Sequence, residues 1–359
     1  MMFNCKTAIF LSLLGVASAA TLRTPHAEEP VLDQSGLMST FRSWASDFEK
    51  KYESRDHMME RFHIWVHNHL RIEEHNEQES TTFQLGHNAF SDLTSDEFAQ
   101  HFHLGKYSNV NINAKTKLNI DESAFPTTER ELQNLKLPDY VNWIQMGAVT
   151  NVKDQGACGS CWAFSTTGAL EGAKFLRTGE LVALSEQNLL DCDHTDLGCN
   201  GGLMDDAFKF DEKSGGLCSE EDYPYEAVQH DTCNTDCTDV PGSLVRTFYD
   251  VPAGDERALL AAVAMQPISV AIQADQFVFQ FYKSGVLTDS TCGEQGGIDH
   301  GVLAVGYGTD LDSEEPYFLV KNSWGAQWGE EGYIRLGRKS TNEFGMCAIL
   351  KMASYPEVE

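Results

Sequence analysis

Cysteine is missing from residue 6 to residue 157 of this 359-residue chain. Covalent cross-links can therefore serve only the C-terminal part. Basic side chains are scarce as well. Lys and Arg number 26 against 54 Asp and Glu, a formal net charge of −28. Phosphate binding needs clustered Lys and Arg, so no nucleic-acid partner is expected. No low-complexity tract or internal repeat interrupts the chain, and no Asn-x-Ser/Thr triplet occurs, so N-glycosylation is not expected. Beyond the first twenty residues no apolar run is long enough to span a bilayer. What remains is 42% hydrophobic and 22% charged, the composition of a globular, soluble protein long enough for two domains.

From Leu137 onward 13 basic residues face 35 acidic ones, so most of the acidity lies in the C-terminal two thirds. Such a surface is strongly hydrated. It also suits work at low pH, where carboxylates are protonated and self-repulsion relaxes. The N-terminus carries Lys6, a short apolar run from Thr7 to Ala17 and the small residues Ala17-Ser18-Ala19. This reads as a signal peptide over residues 1–20 and places the protein in the secretory pathway. Cys5 would leave with it. Nine cysteines remain, all after residue 157, and an odd count in an oxidising compartment leaves one thiol over.

Residues 38–51 and 55–78 read as amphipathic helices. In the second, Arg61, Trp65, Asn68, Ile72 and Asn76 recur at steps of 4, 3, 4 and 4 and share one face. A face mixing Arg, Trp and Asn is expected to pack against something. Residues 107–136 are polar and irregular, as in a linker open to proteolysis. After Leu137 helices are expected over 160–177 (stopped by Gly179), 185–191 and 203–213. Beyond Val251 the pattern becomes strand-like, with strands expected over 268–272, 277–282, 301–307, 317–321 and 332–336. Helices first and strands later predict an α+β protein with a helical half, a β half and a cleft between them.

The most informative stretch runs Gln155-Gly156-Ala157-Cys158-Gly159-Ser160-Cys161-Trp162-Ala163-Phe164-Ser165. Cys161 would open a helix, where unsatisfied N–H groups and the helix dipole favour a thiolate. A Cys-x-x-Cys pair can also be a redox dithiol, half of a zinc site or two disulfide partners. A redox motif would want a βαβ start, which is absent. A zinc site would want a second paired motif, and Cys233-x-x-x-Cys237 is the only other close pair. A nucleophile needs a base and a group to hold that base. His300 lies 139 residues on, in Ile298-Asp299-His300-Gly301, and Asn322 lies 161 on, in Lys321-Asn322-Ser323-Trp324-Gly325. The cysteine-protease signature Cys-Gly-Ser-Cys-Trp expects His and Asn about 130 to 150 residues later. The His fits and the Asn lies slightly beyond.

With these segments, and with Leu137 to Trp143, Cys199-Asn200-Gly201-Gly202 and Tyr223-Pro224-Tyr225, the chain resembles the papain family of cysteine peptidases over nearly its whole length, most closely its cathepsin L-like members. Asn142 and Asn151 depart from the usual Asp and Pro. The resemblance implies a papain-like peptidase domain at 137–359, with a helical half, a β-barrel half and the active-site cleft between them. A helical inhibitory propeptide over 21–136 would precede it. Cys161 and His300 are implied as a thiolate–imidazolium pair, and Asn322 as the residue that orients His300. Trp324 would shield that bond, while the Gln155 amide and the Cys161 N–H would form the oxyanion hole. Gly201 and Gly202 would pair with extended substrate. Leu203, Met204, Ala271, Ile298 and Met352 would line an S2 pocket that takes a hydrophobic residue, with Asp299 and Trp324 also bordering substrate. No exopeptidase loop is inserted, which favours endopeptidase action.

The family's disulfides map to Cys158–Cys199, Cys192–Cys233 and Cys292–Cys347. Cys218 and Cys237, outside that core pattern, are expected to pair, leaving Cys161 as the odd thiol. The stripe from Arg61 to Asn76 and the run Gly86-x-Asn88-x-Phe90-x-Asp92 match two propeptide motifs, with His57 where Glu usually opens the stripe and Trp65 as the cathepsin L-like variant. The implied partners are protein and peptide substrates, the chain's own propeptide as intramolecular inhibitor and cystatin-like inhibitors. A monomer is expected, with no membrane partner and no metal or organic cofactor. Acid would release the propeptide, in a lysosome, an acidic vacuole or outside the cell. Two rivals are a peptide-binding homologue without activity and a Cys-His acyl transferase. The intact catalytic positions argue against the first and the propeptide motifs against the second.

Overall fold

The computed structural model describes residues 33–104, 134–294 and 297–359. The expected signal peptide lies outside the described residues, and so does the expected linker as far as residue 133. The first helix, α1 (Gln34–Asp47), starts four residues before the apolar period suggested. The Asp33 carboxylate accepts from the N–H groups of Ser35 and Gly36 and so sets the start. Helix α2 (Arg55–Asn76) is capped by the Ser54 hydroxyl. Phe41, Trp44, Phe62 and Trp65 form a small aromatic core between the two.

The mixed face of α2 holds the chain that returns over it. Asn76 both donates to and accepts from the backbone of Leu85, in strand β1 (Phe83–Leu85). Asn68 donates to the carbonyls of Ser91 and Leu93. Arg61 pairs with Glu97 at 2.9 Å. Glu97 also closes a capping box with Thr94 at the start of α3 (Ser95–His101). Polar residues recur on this helix because the segment they hold is irregular and its backbone groups need partners.

The C-terminal part runs β2 (Val141–Asn142), α4 (Cys161–Thr178), α5 (Glu186–Cys192), α6 (Met204–Ser214), β3 (Val245–Asp250), α7 (Glu256–Met265), β4 (Ile268–Ile272), α8 (Phe277–Gln280), β5 (Tyr282–Leu287), β6 (His300–Thr309), β7 (Pro316–Lys321), β8 (Tyr333–Gly337) and β9 (Met352–Val358). Helix α4 ends at Gly179, whose φ of 79° is open to glycine at little cost. It is buried from Cys161 to Lys174 and forms the wall between two cores. One core joins α4, α5 and α6 through Trp162, Leu170, Leu189 and Phe208. The other fills the sheet with Val270, Val302, Phe318, Trp328 and Leu336. The strands pair in the order β1-β5-β8-β7-β6-β4-β9-β3, with β2 added to β6. The architecture is α+β.

Two segments depart from the sequence expectation. Residues 277–282 were expected to form one strand, but 277–280 form a short helical turn and β5 begins at Tyr282. The alternating aromatics favour a strand locally. The turn instead buries Phe279 against Trp324 and Trp328 and offers the Gln280 carbonyl to Asn88, and tertiary packing prevails over propensity. The strand-like zone after Val251 opens with helix α7, capped by the Asp255 carboxylate and rich in Ala and Leu.

Four disulfides link the described residues: Cys158–Cys199, Cys192–Cys233, Cys218–Cys237 and Cys292–Cys347. Cys161 is the one cysteine among the described residues outside a disulfide.

Candidate active site

Cys161 is the first residue of α4, so the N-terminal N–H groups and the positive end of the helix dipole lie at its thiol. The Ser160 side chain does not cap that end. His300 is the first residue of β6. A Cβ built on the next residue, Gly301, would lie 3.2 Å from the Cys161 carbonyl oxygen and 3.3 Å from the Met204 sulfur. A side chain here would press on both neighbours, so glycine eases the close approach of the start of β6 to the start of α4, and the two elements meet at Cys161 and His300.

The hydrogen bonds around His300 have a definite direction. Its Nε2 lies 2.7 Å from Asn322 Oδ1, which also accepts from the Ser323 N–H at 2.8 Å. Oδ1 is therefore the oxygen, Nε2 carries the hydrogen, and Nδ1 is left as the basic nitrogen. Nδ1 is buried and makes no hydrogen bond. The Trp324 ring stacks on the imidazole at 4.7 Å. Burial pushes the His300 pKa down to about 4, against the opposing effect of the Asn322 bond.

Gln155 is fully buried and clamped by its neighbours. Its N–H donates to the Ser323 carbonyl, its Oε1 accepts from the Ser323 hydroxyl at 2.6 Å, and its Nε2 donates to the Cys158 carbonyl at 2.9 Å. The amide points its nitrogen toward the Cys158–Cys161 turn and has a second N–H to offer.

Beside this group lies a strip that only glycine can form. Gly201 has a φ of 106°, and a Cβ on Gly202 would lie 2.6 Å from the Asp196 carboxylate and 2.7 Å from the Trp162 ring. Met204, Ala271 and Ile298 are buried in the core that contains Cys161, with Leu203 and Met352 packed on its edge. Ala271 pairs with Met352 on one side and Gly301 on the other, which brings this apolar set next to the thiol. The Asp299 carboxylate instead accepts from the N–H groups of Ala274 and Asp275 and so holds the loop after β4. Burial, with Asp275 adding to it, pushes its pKa up to about 8.

The N-terminal region covers the site. Phe102 stacks on Trp324 at 4.6 Å, with Phe98 edge-on at 5.1 Å. A Cβ on Gly159 would lie 2.8 Å from the Cβ of His103. Strand β1 joins the sheet through β5, Gly86 N–H donates to the Phe281 carbonyl, and the Asn88 amide donates to the Gln280 carbonyl at 2.7 Å. Cys161 is left 2% exposed and His300 not at all. Sequence reasoning gave no role to Phe102, His103, Ser323 or Tyr225. The motif containing Ser323 and the Tyr-Pro-Tyr run were visible, but their hydrogen bonds were not.

Residues 137–357 match the profile of the papain family cysteine proteases. The chain belongs to that family. Residues 41–98 match the cathepsin propeptide inhibitor domain, so this papain-family protease carries its inhibitor in the same chain and is a zymogen. It is 42% identical over 351 residues to the cysteine protease XCP2 of Arabidopsis thaliana (98% of this chain, 94% of that one). It is 41% identical to cathepsin L1 of Drosophila melanogaster (98% and 92%). Among solved structures, the proform of the ragweed pollen cysteine protease Amb a 11 superimposes with a TM-score of 0.78 at 37% identity (91% and 96% covered). Digestive procathepsin L 3 of Tenebrio molitor superimposes with 0.75 at 37% identity (89% and 98%). Among the described residues no helix is long and apolar enough to cross a membrane, and no group of three or more His, Cys, Asp and Glu is arranged to hold a metal ion.

Proposed function

We propose that this papain-family protease is an endopeptidase in which Cys161 and His300 act as a thiolate–imidazolium pair, oriented by Asn322 and served by an oxyanion hole from the Gln155 amide and the Cys161 N–H. The observation that carries this reading is the hydrogen-bond direction at His300, which leaves Nδ1 as the proton carrier beside the helix that presents the thiol. The thiolate attacks the scissile carbonyl. The carbonyl oxygen becomes an oxyanion, and His300 Nδ1–H protonates the leaving amine as the C–N bond breaks. Water then attacks the thioester, gives its proton to His300 and releases the acid and the thiolate. Under the propeptide, burial keeps His300 neutral at mild pH. Uncovering the cleft returns water, raises the imidazole pKa and allows the ion pair to form.

Leu203, Met204, Ala271, Ile298 and Met352 form the S2 pocket, with Gly201 and Gly202 pairing with extended substrate and Trp324 bordering the cleft. The pocket carries no acidic side chain among these five, so a hydrophobic P2 residue is preferred over Arg. Asp299 acts on substrate only through its backbone, since its carboxylate is engaged with the loop. Residues 1–20 are a signal peptide, maturation falls in the linker before about residue 137, and the mature enzyme is a monomer open to cystatin-like inhibitors. Four disulfides favour the secretory pathway, ending in an acidic compartment or outside the cell.

Acid activation has a physical basis in the propeptide. Glu97 is held below the ordinary carboxylate range chiefly by its hydrogen bond to Arg61, so protonating it breaks that pair. His87 is stacked on Trp65 with its Nε2 3.0 Å from His69 Nδ1, and burial pushes its pKa down to about 4. The test is to acidify purified precursor in reducing buffer and offer fluorogenic peptides with Leu, Phe or Arg at P2. Processing, cleavage of the peptides with Leu or Phe at P2 and loss of both in Cys161→Ala are expected. Self-processing by Cys161→Ala would sink the assigned nucleophile, and a preference for Arg would sink the pocket.

A further inference from the structure

Tyr225 lies outside the four residues of the catalytic reading, yet its hydroxyl touches both sides of the proposed oxyanion hole. Its O–H donates to the Gln155 carbonyl at 2.8 Å. A carbonyl only accepts, so the single phenolic hydrogen is spent there. The second contact, 2.6 Å to the Ser160 hydroxyl, must then have Ser160 donating. One directed chain runs from Ser160 through Tyr225 to Gln155. Ser160 immediately precedes Cys161, whose N–H is one proposed donor to the oxyanion, and Gln155 supplies the other.

Ser160 itself behaves unusually. A serine at the start of a helix ordinarily turns its oxygen back onto the first-turn N–H groups. Here it makes no such bond, because its hydroxyl is directed to Tyr225. The Ser160 oxygen that meets the first turn is instead its backbone carbonyl, which accepts from the Ala163 N–H at 2.8 Å, so no serine hydroxyl stands over the end of α4 where Cys161 begins. The phenol is well braced for this task. Its ring lies edge-on to Phe164, one turn further along α4, at 4.8 Å, and its backbone N–H donates to the Glu220 carboxylate at 3.0 Å. Burial holds the phenol protonated far above its ordinary range, so it remains a donor throughout the working pH.

We propose that Tyr225 is a positioning residue that sets the separation of the two oxyanion donors, the Cys161 N–H and the Gln155 amide. This rests on the reading of Cys161 and Gln155 given above. Stabilising an oxyanion depends on donors preorganised at about 2.7–3.1 Å, so a shift at either end weakens the transition state more than substrate binding.

The test uses matured enzyme with rates expressed per titrated thiol. Tyr225→Phe keeps the ring and removes the link. It is expected to lower kcat about tenfold and to weaken a peptide aldehyde inhibitor about tenfold, because the aldehyde adds to the thiolate and leaves its oxygen in the hole. KM and the rate of alkylation by iodoacetamide, which displaces iodide and builds no tetrahedral oxyanion, should stay within about twofold. Ser160→Ala should give the same pattern, and the double variant should be no worse than Tyr225→Phe, since both cut one chain. If Tyr225→Phe fails to fold, Ser160→Ala carries the same readouts. Unchanged kcat and aldehyde affinity would overturn the proposal, and so would kcat and alkylation falling together, the pattern of a merely structural brace. Gln155→Ala separates the two levels of the argument. Loss of kcat there with a normal Tyr225→Phe enzyme rejects only the role of Tyr225, whereas normal kcat in Gln155→Ala rejects the oxyanion hole on which it rests.

Discussion

In the proposed mechanism His300 exchanges protons only at Nδ1, because Nε2 is committed to Asn322. Asn322→Ala removes that commitment, lets the imidazole tautomer and orientation drift and leaves a buried N–H without an acceptor. We expect kcat to fall by about a hundredfold, with a smaller change in KM, measured on thiol-titrated enzyme. Gln155→Ala leaves the nucleophile and base in place and removes one oxyanion donor. Its kcat should fall by about 10²–10³ while iodoacetamide still labels Cys161 at the normal rate. Met352 pairs across the sheet with Ala271 at the edge of the apolar pocket. Met352→Glu places a carboxylate there, and the ratio of kcat/KM for Arg over Leu at P2 should rise at least about tenfold above the carboxylate pKa. An unchanged ratio would mean that Met352 does not border S2.

Inhibition is built from elements rather than single residues. Helix α2 holds the segment from β1 to α3 by side-chain amides, β1 extends the protease sheet at β5, and the residues after α3 bring Phe102 onto Trp324. The His69–His87 contact lies where α2 meets the turn that docks on the protease. A histidine whose pKa falls on folding binds its proton less well in the folded propeptide, where Trp65 and His69 enclose it, than in the unfolded segment, and docking needs the folded propeptide. Docking therefore weakens as pH falls from the ordinary 6.5 toward about 4. His87→Phe keeps a ring on Trp65 and removes the titration. The midpoint of precursor processing, followed on gels across that range, should move to lower pH by about half a unit or more. An unmoved midpoint would assign the acid response to carboxylates such as Glu97 instead.

On the scale of the whole molecule, the net charge of −28 is accompanied by buried carboxylates that prefer to be protonated. Burial pushes Asp211 up to about 7, with Asp239 adding to it, and Asp299 up to about 8. Asp196 and Asp205 are raised for the same first reason. A carboxylate whose pKa rises on folding stabilises the fold fully below its ordinary pKa and loses that contribution as pH rises through its folded value. The matured enzyme should therefore melt at a higher temperature near pH 5 than near pH 8, a window set by folded values of about 7 and 8 and an ordinary value of 3.8. A melting temperature that falls steadily on acidification across this range would contradict it.

The family, the α+β class, the candidate nucleophile and its partners were legible in the order of residues, because chemistry at a site constrains short motifs and helix periods repeat locally. The helix over 161–178 could be read from its apolar period and from Gly179 at its end. The reasons for the mixed stripe on α2, the turn at 277–280 and the commitment of the Asp299 carboxylate could not, since each depends on partners brought in from distant parts of the chain. The same holds for the direction of the hydrogen bonds at His300 and Tyr225. Residue identity supplies donors and acceptors, but only folded geometry decides which of them meet, and that choice fixes which nitrogen, carbonyl or hydroxyl remains available for chemistry.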